Sequence, residues 1–181
     1  MSLLLKRALD QAAVWHQGQR RKYPGVEVPY MSHVAGVVSV LAVYGFDDEV
    51  QAAGALHDVI EDCGVTRDEL ARRFSERVAA LVDAVSEEDR SLPWEERKAR
   101  YVARFATEPW DAQAISLADK VDNFESIAVC AADHGDPWAM FKRGKPAQME
   151  RFEALRAVAL TLAPHPLIDR YCRALDALRA V

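Results

Sequence analysis

The chain has little cysteine, glycine or proline, and each shortage excludes something. Its three cysteines, Cys63, Cys130 and Cys172, are widely spaced and form no Cys-x-x-Cys pair. That argues against a disulfide framework and against a thiolate zinc site. Cys63 stands beside an acidic pair and reads as a small residue closing a helix. Eight glycines and eight prolines, against a 50% hydrophobic share, exclude a disordered or low-complexity chain. Apolar runs long enough to cross a bilayer are absent. Leu3-Leu4-Leu5 is too short for a signal-peptide core and runs straight into Lys6 and Arg7. The expectation is a cytoplasmic protein with no membrane partner. Positive charge is also in deficit: the net charge is −5, the wrong sign for a general nucleic-acid binder. A small phosphorylated ligand needs only a local cation cluster, and Arg20-Arg21-Lys22 is one.

Alternation of period two is missing as well, so no strand of any length is expected. Helical periodicity is present almost throughout the 181 residues, which read as a single domain, 1–181. Apolar residues at three- and four-residue steps predict a helix over 3–17, a charged loop over 18–29 and a buried helix over 30–44. Asp47 caps a helix predicted to run unbroken to Asp62, with Gly64 ending it. Thr66-Arg-Asp-Glu69 is a capping box. Further helices are predicted over 76–85, 93–105, 110–132, 146–162 and 167–178, with a polar break at 86–91. The fold class is all-α, a helical bundle.

Four ionisable residues interrupt the third helix as two adjacent pairs, His57-Asp58 and Glu61-Asp62. On a regular helix His57 would lie above Glu61 and Asp58 above Asp62. Such a crowd desolvates badly unless something compensates it. A divalent cation does so. His33 on the second helix and Asp119 on the long helix are further charges on otherwise apolar segments, where a core residue is expected. Mixed imidazole and carboxylate suit manganese, iron or zinc better than magnesium. The bland alternatives are a packed His33 and an Asp119 that pairs with Lys120.

These residues carry a resemblance. The series Ala13-Val-Trp-His16-Gln-Gly-Gln19-Arg20-Arg21-Lys22, Pro29-Tyr30-Met-Ser-His33, Leu56-His57-Asp58-Val-Ile-Glu61-Asp62 and Leu117-Ala118-Asp119-Lys120-Val-Asp-Asn123 resembles the HD superfamily of metal-dependent phosphohydrolases. Within it, the series is similar to the hydrolase domain of RelA/SpoT-type enzymes and the stand-alone small alarmone hydrolases. The resemblance implies a bundle around one Mn²⁺, or another divalent transition metal, held by His33, His57, Asp58 and Asp119. It implies that Glu61 and Asp62 handle the attacking water, Glu61 as general base. It implies a small phosphorylated nucleotide as partner and removal of the 3′-diphosphate from guanosine tetra- or pentaphosphate. No synthetase, TGS or ACT segment is seen, so a hydrolase-only protein is expected. Arg21 and Lys22 then flank the guanine base, Asn123 the ribose, and Lys98, Lys142 and Lys145 the phosphates. One departure stands out. The family's phosphate grip places an aromatic one turn after a cation; here Lys145 is followed by Met149, and methionine cannot donate to phosphate. Two alternatives stay open: cleavage of another nucleotide or phosphate ester, and a catalytically silent metal- or nucleotide-binding module. The oligomeric state is not legible.

Overall fold

Side-chain caps decide where several helices begin. Ser2 accepts from the Leu5 amide, Asp47 from Glu49 and Val50, Thr66 from Glu69, and Ser75 from Val78, each satisfying donors that a helix start leaves open. The computed structural model describes residues 1–87 and 91–181. In chain order the helices are α1 (Leu3–Trp15), α2 (Met31–Val43), α3 (Asp48–Leu56), α4 (Val59–Cys63) and α5 (Arg67–Arg73). They continue as α6 (Glu76–Val85), α7 (Trp94–Phe105), α8 (Trp110–Asp133), α9 (Gly144–Ala159) and α10 (Pro166–Ala177). Two 3₁₀ turns cover Pro137–Met140 and Leu178–Ala180. The described residues contain no strand, only an isolated antiparallel bridge between Arg20 and Pro29. The architecture is all-α, as the periodicity predicts. Part of the polar break expected at 86–91 lies outside the described residues.

Helix α8 organises the bundle. It has 24 residues, hence a length of about 36 Å. Every residue from Ala112 to Asp119 is buried, so this stretch is surrounded by protein on all sides. Helices α2, α3, α6, α7 and α10 pack against it. Helices α2 and α3 also approach each other closely: a Cβ on Gly54 would stand 2.4 Å from Leu41 Cδ1. Among the described residues no helix is long and apolar enough to cross a membrane.

One expectation is corrected. The helix predicted to run from Asp47 to Asp62 breaks at His57-Asp58, where Asp58 takes φ −101° and ψ 0°. Successive side chains on a regular helix diverge by about 100°. His57 and Asp58 aim at the same point, and only an irregular turn between α3 and α4 allows that.

Candidate metal centre and its cleft

The bundle brings together residues that are distant in sequence. His33 sits in the first turn of α2, His57 and Asp58 in the α3–α4 turn, and Asp119 midway along α8. His33, His57 and Asp58 offer ligand atoms within 4.8 Å of one another. The two imidazole Nε2 atoms are 3.2 Å apart. Asp58 Oδ2 lies 2.9 Å from His57 Nε2 and 3.9 Å from His33 Nε2. Asp119 Oδ1 lies 3.4 Å and 3.9 Å from His33 and His57. Donors about 2.1 Å from one ion stand roughly 3–3.5 Å from their neighbours in tetrahedral or octahedral arrangements; three of the five spacings lie at 2.9–3.4 Å and two, at 3.9 Å, are wider.

Hydrogen bonds behind the imidazoles fix which nitrogen faces inward. His57 Nδ1 is 2.9 Å from the Gly54 carbonyl oxygen, to which it can only donate. His33 Nδ1 is 2.5 Å from Asp122 Oδ2. With a proton at each Nδ1, the two Nε2 atoms face each other across 3.2 Å, a position that takes a cation, either a proton or a metal ion. The carboxylates favour positive charge at this point. Burial opposes charge on His57, yet the Asp58 carboxylate, with Asp119 behind it, pushes its pKa up to about 9. Burial likewise opposes charge on Asp58 and Asp119, but His57 beside the first and Lys120 beside the second hold both carboxyls below the usual range. Tyr30 donates its hydroxyl to Asp58. Burial first, and Asp58 second, keep that phenol protonated far above its ordinary pKa. The cluster can coordinate a divalent metal.

Sequence reasoning quoted Asp122 within the motif but gave it no role, and it missed Gly36 altogether. A Cβ on Gly36 would stand 1.7 Å from Asp122 Oδ1, so glycine there leaves room for the carboxylate that orients His33. We expect Gly36→Ala to weaken metal binding by ~10–100-fold, the usual effect of removing such a support. Metal titration checks this; unchanged affinity means that Asp122 does not orient His33.

The cluster opens into a cleft of about 330 Å³. Glu61 and Asp62 line it. Glu61 Oε1 accepts from the Glu87 amide at 2.8 Å and Asp62 Oδ2 from Gln19 Nε2 at 2.9 Å. Lys98 lines the same cleft and pairs with Glu87. Lys120 does too, and its long stem carries Nζ back to Asp119 even though the two are sequence neighbours. Arg151, unnoticed in the sequence, is a further lining residue.

A second cleft of about 280 Å³ adjoins the first and shares Lys22, Tyr30, Asp62 and Asn123 with it. Arg21 belongs to this second cleft. Both its terminal nitrogens donate to Asn123 Oδ1 at 3.1 Å, and Asn123 in turn donates to Asp119. The 18–29 loop is held for this by its bridge and by the Arg21 amide donating to Val28 and the Tyr30 amide to Gln19. Lys142 and Lys145 line neither cleft. Lys142 is exposed; Lys145 donates to the Arg179 carbonyl and lies over the Trp138 ring.

Comparison with known proteins agrees with this geometry. A family model of the HD domain matches residues 8–140. The guanosine-3′,5′-bis(diphosphate) 3′-pyrophosphohydrolase MESH1 of Drosophila melanogaster is 38% identical over 123 residues, which are 67% of this chain and 68% of that protein. Among solved structures, a Listeria monocytogenes EGD-e protein superposes with a TM-score of 0.75 at 32% identity, over 81% of this chain and 97% of its own. A metazoan ortholog of SpoT that hydrolyzes ppGpp superposes with a TM-score of 0.80 at 28% identity, over 98% of this chain and 96% of its own. The chain therefore belongs to the HD-domain family of metal-dependent phosphohydrolases, in the branch related to RelA/SpoT hydrolase domains and MESH1-type proteins.

Proposed function

We propose that residues 1–181 act as one pyrophosphohydrolase unit. It removes the 3′-diphosphate from guanosine 3′,5′-bis(diphosphate), or from its 5′-triphosphate analogue, to leave GDP or GTP and pyrophosphate. The observation that carries this reading is the pair of facing imidazole nitrogens, 3.2 Å apart and flanked by two carboxylates, at the edge of a cleft whose lining includes Lys22, Lys98, Lys120 and Arg151. The activity borne in the name of the Drosophila relative supports the choice of substrate.

His33, His57, Asp58 and Asp119 would hold the ion. Two imidazoles with two carboxylates suit Mn²⁺, with other divalent transition metals chemically admissible. A bound ion would supply Lewis-acid polarisation of a phosphate oxygen and would acidify a water molecule. The remaining work falls to side chains of this chain. Glu61, fixed by the Glu87 amide, takes a proton from the attacking water. Asp62, held by Gln19, orients that water. The water oxygen bonds to the phosphorus that carries the ribose 3′ oxygen. That phosphorus–oxygen bond breaks, and the proton passes through Glu61 to the departing 3′ oxygen. Lys98 faces the diphosphate. Arg21, Lys22 and Asn123 frame the second cleft, whose wall also includes Phe141 and Phe152.

The test is a product assay. Protein depleted of metal and reconstituted with Mn²⁺ is given guanosine 3′,5′-bis(diphosphate) and a panel of other nucleotides. GDP with pyrophosphate is expected. Orthophosphate as the product, or turnover only of another nucleotide, overturns the proposal.

A further inference from the structure

Three helices each deliver one cation to the larger cleft: Lys98 from α7, Lys120 from α8 and Arg151 from α9. The first two already have carboxylate partners, Glu87 and Asp119. Arg151 has none. Among the described residues its guanidinium makes no direct hydrogen bond or ion pair; it lies over the ring of Phe152, 4.6 Å away, with Asp119 and Glu87 acting on it at longer range. It is half-buried, and burial holds its pKa below the usual guanidinium range against the opposing pull of Asp119 and Glu87. Burial and the nearby Arg151 charge together depress Lys98. A half-buried charge with no direct ion pair is costly. Its donors stand on the wall of the cleft, where an anionic ligand would engage them. Four cations and five carboxylates line the cleft; a divalent ion at the His-Asp cluster makes that lining net positive.

We infer that Arg151 is the anchor of an anion subsite, shared with Lys98 and Lys120, that grips the terminal phosphate of a diphosphate group and lets the site distinguish a diphosphate from a monophosphate. The inference rests on the reading of the cluster as a phosphohydrolase centre. A guanidinium presents two parallel N–H bonds that match two phosphate oxygens. The phosphate nearest the cluster has the ion and the two paired lysines to compensate it. A further bidentate donor on the same cleft is matched by a second phosphate. The subsite also takes up the grip that the sequence lacks at Met149, and from a different direction: Arg151 lines the cleft, whereas Lys145 is committed to Arg179 and Trp138.

Inorganic pyrophosphate and orthophosphate are the probes, titrated calorimetrically into Mn²⁺-loaded protein. Arg151→Met is expected to weaken pyrophosphate by ~10–100-fold, the range for losing hydrogen bonds to a charged group, and to leave orthophosphate within about threefold. Arg151→Lys should restore part of the loss. The ligand-free Met variant should melt at or above the wild-type temperature, because a half-buried charge with no direct ion pair has been removed; a purely structural arginine would lower it. Equal effects on both anions, no effect on either, or a wild type that binds no pyrophosphate overturns the subsite. If the wild type turns over no guanosine bis(diphosphate) yet binds pyrophosphate through Arg151, the substrate proposal fails and the subsite stands. If it turns over that nucleotide while Arg151→Met binds pyrophosphate normally, the subsite alone fails.

Discussion

Glu61→Gln is expected to lower turnover of guanosine 3′,5′-bis(diphosphate) by ~10²–10⁴-fold, the range for a lost general base, while the protein still takes up one metal ion per chain. The reasoning is geometric. Glu61 is not one of the four clustered donors, so the ion should not sense the change. Its Oε1 accepts the Glu87 amide, and the glutamine carbonyl oxygen can accept that same bond, so the local backbone keeps its anchor. What is lost is the ability to take a proton. Steady-state kinetics with metal analysis of the same sample checks this. Full activity in the variant removes Glu61 from the mechanism; loss of metal together with activity would make Glu61 part of the ion site instead.

The second large effect concerns the ion itself. Adding Mn²⁺ at ~1,000 times its dissociation constant should stabilise the chelator-treated protein by about 4 kcal/mol. For a chain of this size that corresponds to a rise in Tm of ~10 °C. The size of the effect follows from where the donors lie: α2, the α3–α4 turn and α8 would be joined at one point. His57→Ala should remove the metal-dependent rise. Scanning calorimetry with and without chelator decides. Identical melting curves for the wild type in both conditions mean that no ion binds the folded state in preference.

Much of this was legible in the sequence because it rests on periodicity and local capping. Thr66 and Asp47 cap where their side chains predict, and the long central helix appears as a long apolar period. The break at His57-Asp58 was not legible, since the local pattern is helical across it. What bends the chain there is a shared target supplied by α2 and α8, which lie far away in sequence. Asp122 escaped for a related reason. It sits at the middle of α8, one turn after Asp119, and only the notch at Gly36 on another helix reveals its purpose. Arg151 lies in an ordinary-looking amphipathic stretch, Glu150-Arg151-Phe152-Glu153, and nothing local marks it as facing a cleft. Lys142 and Lys145 drew attention because cations around a glycine look like a phosphate loop. Composition cannot say which way such a loop faces, and this one turns Lys145 toward the chain's C-terminal 3₁₀ turn.

The hairpin-like segment between α1 and α2 sends Gln19 to Asp62 and Arg21 to Asn123. On the proposed function, base recognition and proton handling are thereby yoked to a single strap of backbone. A ligand whose base seats badly would tug that strap, and the tug would arrive at the water-orienting carboxylate. Such an impostor would be held yet processed slowly, so discrimination would be written into speed rather than grip.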